Sequence, residues 1–304
     1  MLYCGWDGGG TKTEVCMTDE TGRDAVSAVF GPLNPNGSSP EQIRETVKQC
    51  TDYMIRQAGS LSGIGGLVIG MAGISNRNAS ALLQEALAEA GWTGPLYLAG
   101  DQEIALAGAV DGPGLLLIAG TGSVCCGRDA EGHLFRVGGY GHLIDDPGSG
   151  WAIGRSILTA IVRAEDGRGS ETVLTGLVFE KLKIRDVGEM ITWLYGPATG
   201  KREVAALASL LPSALALRDA AAETIARQAG EDLAELAETG WKKSGLESCR
   251  LAVTGSILLR IPEIREILGQ RLRRTCPLLH ITEPSGSPAE GAAKIARGFF
   301  EPSM

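Results

Sequence analysis

Two stretches of this chain, 110 residues apart, carry the same order of residue types. Gly10-Thr11 falls on Gly120-Thr121, Thr13 on Ser123, Cys16 on Cys126, Asp19 on Asp129 and Gly22 on Gly132. Further on, Phe30-Gly31 falls on Tyr140-Gly141. Each stretch reads as an apolar strand, a glycine turn, an alternating strand, an Asp-x-x-Gly turn, a third strand and a loop. Two copies are too few for a solenoid, so the expectation is two related halves with a cleft between them. A length of 304 residues agrees with a prior of two domains.

The segments between and after these stretches alternate. Strand-like runs at 66–71 and 95–99 precede helical patterns at 76–90 and 102–110, and an earlier helical pattern covers 41–58. After the second copy, helices are expected over 149–165, 170–183, 186–195, 201–217 and 219–243. Strand 250–254, helix 260–274, strand 278–282 and helix 287–299 follow. This is α/β organisation, a sheet covered by helices in each half, with a helical insert in the second. The expected division is residues 1–113 with about 287–304 as the first lobe, and 114–286 as the second.

Composition excludes several classes. The net charge of −8 argues against nucleic acid as the main partner, because phosphate binding leaves a basic footprint. No apolar run reaches the roughly 18 residues of a membrane span. Met1-Leu-Tyr-Cys-Gly5 lacks a basic region followed by a long apolar run, so no signal peptide is expected. The seven cysteines are scattered and form no C-x-x-C, which points away from a disulfide framework or zinc site and toward a cytoplasmic location.

The glycine turns carry the chemistry. Gly5-Trp-Asp-Gly-Gly-Gly-Thr-Lys-Thr13 nearly matches a P-loop, but Thr11 precedes Lys12, and the alternating Thr13 to Thr18 makes the next element a strand, not a helix. Such a hairpin still lets the backbone approach an anion and aim successive N–H groups at it. Asp7, at a strand end, could hold Mg²⁺ through water. Gly120-Thr-Gly-Ser123 has the same chemistry, and two such turns in equivalent positions could face one nucleotide. An unliganded tight hairpin is the plain alternative at either turn.

These residues resemble a known group. Asp7-Gly-Gly-Gly-Thr-Lys-Thr13, Asp101 at a strand end, Gly120-Thr-Gly-Ser123 and Val253-Thr-Gly-Ser256 resemble the nucleotide motifs of the actin/Hsp70/sugar-kinase superfamily. Gly138-Gly-Tyr-Gly-His-Leu-Ile-Asp-Asp-Pro-Gly-Ser149 resembles a segment of N-acetylglucosamine kinases and of the BadF/BadG/BcrA/BcrD ATPase family. The resemblance implies two ribonuclease-H-like (actin-like ATPase) lobes and an ATP-dependent kinase acting with Mg²⁺ on the 6-hydroxyl of an amino sugar. N-acetylglucosamine is the first expectation, with glucosamine and N-acetylmuramic acid as alternatives. It also implies a possible homodimer. An ATPase activator of a CoA-ester dehydratase or reductase is the alternative of another class.

By resemblance, Gly9, Gly10, Thr11, Lys12, Gly120, Thr121 and Gly122 would serve the ATP phosphates, Gly255 and Ala205 the adenosine, and Asp7 the Mg²⁺ ion. Asp101 would be the catalytic base and touch the sugar, with Asn34, Ser123, Gly139, Tyr140, Gly141 and Asp146 completing the sugar pocket. Tyr140 stands where the family usually has Trp, and Pro147 where it has an acidic residue. Plainer roles remain open: Asp101 as a helix N-cap, Asn34 in a local turn with Asn36 as its competitor, Asp146 as cap of the helix near Gly150, and Lys12 as a solvated strand residue.

Overall fold

The computed structural model describes residues 1–22, 25–35, 37–74 and 76–300. The chain divides into two compact units, Met1–Gly112 with Pro284–Met304, and Pro113–Glu283.

The first unit begins with strands β1 (Leu2–Gly8), β2 (Thr13–Thr18) and β3 (Ala25–Phe30), joined by tight turns. Helix α1 (Pro40–Ala58) starts on a capping box, in which Ser39 and Gln42 exchange side-chain-to-backbone bonds, with Pro40 in its first turn. Strand β4 (Ile64–Met71), helix α2 (Arg77–Glu89), strand β5 (Leu96–Ala99) and helix α3 (Asp101–Ala109) follow. The sheet order is β3-β2-β1-β4-β5. Strands β1, β4 and β5 are parallel, and β2 runs antiparallel to both β1 and β3. The carboxyl ends of β1, β3, β4 and β5 therefore share one edge, and the β1–β2 turn lies on it.

The second unit repeats this plan. Strands β6 (Gly114–Ala119), β7 (Ser123–Arg128) and β8 (Leu134–Gly138) lead into helix α4 (Gly150–Glu165). Helices α5 (Leu174–Leu182), α6 (Val187–Leu194), α7 (Lys201–Ala205), α8 (Leu211–Ala216) and α9 (Ala220–Ser244) form the insert. Strand β9 (Cys249–Thr254), helices α10 (Ser256–Arg260) and α11 (Pro262–Thr275) and strand β10 (Leu279–Thr282) complete it. The order β10-β9-β6-β7-β8, with β6, β9 and β10 parallel, is the first sheet's pattern. The core joins Leu117 and Val253 of the sheet to Ile153 and Ile157 of α4 and Leu233 of α9. The chain then re-enters the first unit as α12 (Pro288–Phe300), which packs on β1 and α3. Gly5 permits this approach, since a Cβ there would lie 2.1 Å from the Ala293 nitrogen.

One expected helix is broken, and another is found intact but begins two residues later. The pattern over 201–217 resolves into α7, a 3-10 stretch (Ala206–Leu210) and α8. Pro212 lies in the first turn of α8 and has no N–H to continue the ladder. The pattern over 260–274 contains Pro262, which holds Ile261 at φ −123° and ψ 84°, outside the helical region, and separates α10 from α11. All seven cysteines are buried and unbridged. Among the described residues, no helix is long and apolar enough to cross a membrane.

Candidate active site

In the first unit the site is assembled at the shared strand edge. Asp7, near the end of β1, pairs with Glu14 across the β1–β2 hairpin. Burial pushes its carboxyl up to about 6, and the neighbouring charges of Glu14 and Asp101 push the same way against the pull of Lys12. In the turn, the Gly9 N–H donates to the Lys12 carbonyl at 2.9 Å. The Gly9 carbonyl accepts from the N–H groups of Leu33 and Asn34 at 3.0 and 3.2 Å. The Asn34 amide donates to the Ala72 carbonyl at 3.4 Å, just past β4. Asn34 is thus tied to both the glycine turn and the end of β4. Gly10 has open space on its Cβ side, and Thr11 and Lys12 are exposed. Asn36 lies outside the described residues.

Asp101 is not the helix cap. Gly100 holds that position, and Asp101 is the first helical residue of α3, exposed, with no capping bond. A Gly cap satisfies no N–H through a side chain, so a carboxylate in the first turn gains from the helix dipole. The same correction applies to Asp146: α4 is capped by Ser149, whose hydroxyl accepts from the Ala152 N–H at 3.2 Å.

The second unit holds the other glycine turn. The Gly120 N–H donates to the Gly122 carbonyl at 2.9 Å, while the Gly120 carbonyl accepts from the Gly150 N–H at 2.7 Å. The Thr121 carbonyl accepts from the Trp151 N–H at 3.3 Å. The turn therefore satisfies two orphan donors of α4. Among the described residues the Thr121 N–H has no acceptor. Gly255 adopts φ +97°, and a Cβ there would lie 2.3 Å from the Ala119 carbonyl oxygen, so only glycine lets β9 turn off beside the end of β6.

A cavity of about 530 Å³ opens beside this turn, lined by Gly120, Thr121, Gly150, Ala205 and Ser256. Lys181, Arg202 and Arg260 also line it, and no acidic residue does. Volume and charge suit a nucleoside triphosphate. The structure thus brings Ala205 and the segment after Gly255 to the Gly120–Thr121 turn. The three cations were missed from sequence. Arg202, Ala205, Ala206 and Ser209 share helical spacing, which marks a face but not what it meets.

The loop after β8 is held from within. Gly138, Gly139, Gly141, Asp146 and Gly148 all have positive φ. Tyr140 is exposed and lies under the Arg136 guanidinium, 4.5 Å from the ring centroid. Ser123 is buried and donates its hydroxyl hydrogen to the Pro147 carbonyl at 2.6 Å. Asp146 is 3 % exposed and pairs with the Lys201 ammonium at 2.7 Å. A Cβ at Gly122 would lie 2.9 Å from both the Asp146 carboxylate and the Lys201 nitrogen. Asp145 accepts from the Tyr140 N–H. Lys201, another residue missed from sequence, connects this loop to α7.

For Mg²⁺, no set of three ligating side chains gathers at Asp7 among the described residues. A single carboxylate at a strand end is the kind of group that suits a metal held through its waters.

The fold is a duplicated pair of α/β lobes, and the family match and the relatives at 28–29 % identity over nearly the whole chain make it a sugar kinase. Residues 4–296 match the BadF/BadG/BcrA/BcrD ATPase family, and the chain belongs to that family. It is 29 % identical over 297 residues to the N-acetylmuramic acid/N-acetylglucosamine kinase of Clostridium acetobutylicum, covering 96 % of this chain and 97 % of that one. It is 28 % identical over 310 residues to the N-acetyl-D-glucosamine kinase of Dictyostelium discoideum, covering 97 % of both. A crystal structure of a Chromobacterium violaceum protein assigned as an N-acetylglucosamine kinase superposes with a TM-score of 0.74 at 26 % identity, covering 97 % of this chain and 98 % of that one.

Proposed function

We propose that the chain phosphorylates the 6-hydroxyl of an amino sugar, with N-acetylglucosamine as its first substrate. The relatives' names support an N-acetylated hexosamine, and the Clostridium relative's name adds N-acetylmuramic acid as a second candidate. The observation that carries the reading is Asp101: a carboxylate at the end of β5, exposed, relieved of capping by Gly100, and near enough to Asp7 to raise its proton affinity.

ATP supplies the phosphoryl group, and Mg²⁺ neutralises the charge that builds up as it transfers. The residues of this chain then have separable tasks. Asp101 accepts the proton of the acceptor hydroxyl. Asp7 would hold the metal through its water shell. Gly10, Thr11 and Lys12 in the first unit, and Thr121 and Gly122 in the second, would donate to phosphate oxygens, while Gly9 and Gly120, whose N–H groups are engaged by the Lys12 and Gly122 carbonyls, shape the two turns. Ala205 and Gly255 border the adenosine. Asn34 and the Gly139–Gly141 segment meet the sugar, while Ser123 and Asp146 frame its pocket.

The test is ADP release measured with N-acetylglucosamine, N-acetylmuramic acid and glucosamine, followed by phosphorus–proton correlation NMR of the product. Coupling of phosphorus to the C6 protons is expected. No ADP release with any of these sugars would overturn the reading.

A further inference from the structure

A second cavity, of about 700 Å³, lies in the second unit and shares no lining residue with the one beside Gly120. One face of α4 contributes Trp151, Arg155, Leu158, Thr159 and Val162, spaced as a single helical stripe. Buried Leu158, Met190 and Val204 give it apolar depth. Leu143, Ile191 and Tyr195 also line it and are exposed, an apolar cluster that a solvated surface does not need.

The charge in this cavity has one sign. Three arginines line it, and no acidic residue does. Arg168 is neutralised by Asp166, and Arg163 donates to the Arg168 carbonyl at 3.1 Å. Arg155 rests against the Trp151 ring, 5.6 Å from its centroid, and among the described residues it has no carboxylate within ion-pair distance. An apolar pocket of this size, with Arg155 and Arg163 both outside any ion pair among the described residues, selects a compact apolar body that carries an anionic group.

We propose that this cavity is an effector site for a small amphipathic anion, whose apolar part packs on Leu158, Met190 and Val204 and whose acid group pairs with Arg155. Trp151 supplies the link to the nucleotide. Its side chain lines this cavity, while its backbone N–H donates to the Thr121 carbonyl of the phosphate turn. Val204, also in the lining, is the neighbour of Ala205, which lines the nucleotide cavity. An occupant that shifts Trp151 or α7 thus changes the affinity for ATP, and ATP changes the occupant's affinity by the same factor.

The test uses anilinonaphthalene sulfonate, a fluorescent apolar anion, titrated into the full chain with and without saturating ATP. Neutral phenylnaphthylamine serves as the uncharged control. One equivalent of the sulfonate is expected to bind in the presence of ATP. Arg155→Met, which keeps the stem on Trp151, should raise its Kd about tenfold or more and leave the neutral probe unchanged. Thr159→Trp should fill the cavity and weaken both probes. The sulfonate and ATP should shift each other's Kd by one common factor, about threefold or more. Complete displacement by ATP, or an unchanged Kd in Arg155→Met, would overturn the site. Loss of probe binding as protein concentration rises would assign the face to a second copy and equally overturn it. Equal ATP affinity with and without the probe would overturn the coupling.

Discussion

The Lys201 ammonium lies 2.7 Å from the Asp146 carboxylate, and the two side chains are 31 % and 4 % exposed. Asp146 holds a left-handed backbone, φ 63°, so the pair stabilises a conformation that its residue type tolerates only locally. Gly122 fits against both charges because it has no Cβ. One ion pair therefore joins the loop after β8, the phosphate turn and α7. Lys201→Met should leave a buried carboxylate unpaired and cost about 2–3 kcal/mol, the low end for such a pair because lysine is partly wet. The double variant Asp146→Asn with Lys201→Met should recover part of that loss in denaturant melts, while sugar turnover stays low in both. A fully additive double mutant would mean that the pair holds nothing.

Asp7 sets a pH dependence. Its carboxyl is pushed up to about 6 from an ordinary value of 3.8, by burial first and by Glu14 and Asp101 next. Below about pH 6 it carries a proton and loses its attraction for a hydrated cation, so kcat/KM should fall on an acid limb near 6. The folded value lies above the unfolded one, so the folded chain binds this proton more tightly. Ionised Asp7 thus costs stability at neutral pH, and the cost fades between about pH 6 and 4. Asp7→Asn should raise stability at pH 7.5 by about 1–2 kcal/mol, allowing for partial exposure, and should show no gain at pH 3.5. It should also abolish the acid limb along with most activity. A variant no more stable than the parent at pH 7.5 would contradict the burial argument.

Much of the fold was legible because its signals are local. The offset of 110 residues read from the sequence is also the offset between the starts of β2 at Thr13 and β7 at Ser123. Asp19 and Asp129 form matching turns, each accepting backbone N–H groups ahead of a glycine with positive φ. The offset slips by one before the turns, because Gly8 closes the first hairpin and Ala119 the second. The break near Pro212 and the helix start at Pro262 were visible as residues but were overridden by the surrounding helical period. Lys201, Arg202 and Arg260 were illegible for a different reason. Each approaches the glycine turn from far along the chain, and no periodicity within one helix reports a contact with another element. Asp101 was read as a competition between capping and catalysis, and one backbone residue resolves the capping half: Gly100 takes the cap.

Asp101→Asn separates binding from proton transfer. The amide has the size of the carboxylate and keeps its place at the start of α3, but it cannot accept a proton from the sugar hydroxyl. The kcat should fall about 10²–10⁴-fold. ATP affinity, measured by equilibrium titration, should change less than about threefold, because Asp101 is assigned no phosphate contact. Near-normal turnover would remove Asp101 from the mechanism. Turnover lost together with ATP affinity would instead indicate a structural role.

Gly255 offers a test of geometry without charge. Its φ of +97° disfavours any L side chain, and its missing Cβ leaves room for the Ala119 carbonyl oxygen, 2.3 Å from where that carbon would sit. Ala119 directly precedes Gly120, so a methyl group here pushes on the nucleotide turn itself. Gly255→Ala should cost about 2–4 kcal/mol and weaken ATP binding at least about tenfold. Gly245, the residue after α9, provides the control: its φ is +65°, but a Cβ there meets open space. Gly245→Ala should cost only about 1 kcal/mol of backbone strain and leave the nucleotide affinity unchanged. Equal effects on ATP binding from the two substitutions would show that backbone strain alone, and not the contact with Ala119, shapes the turn.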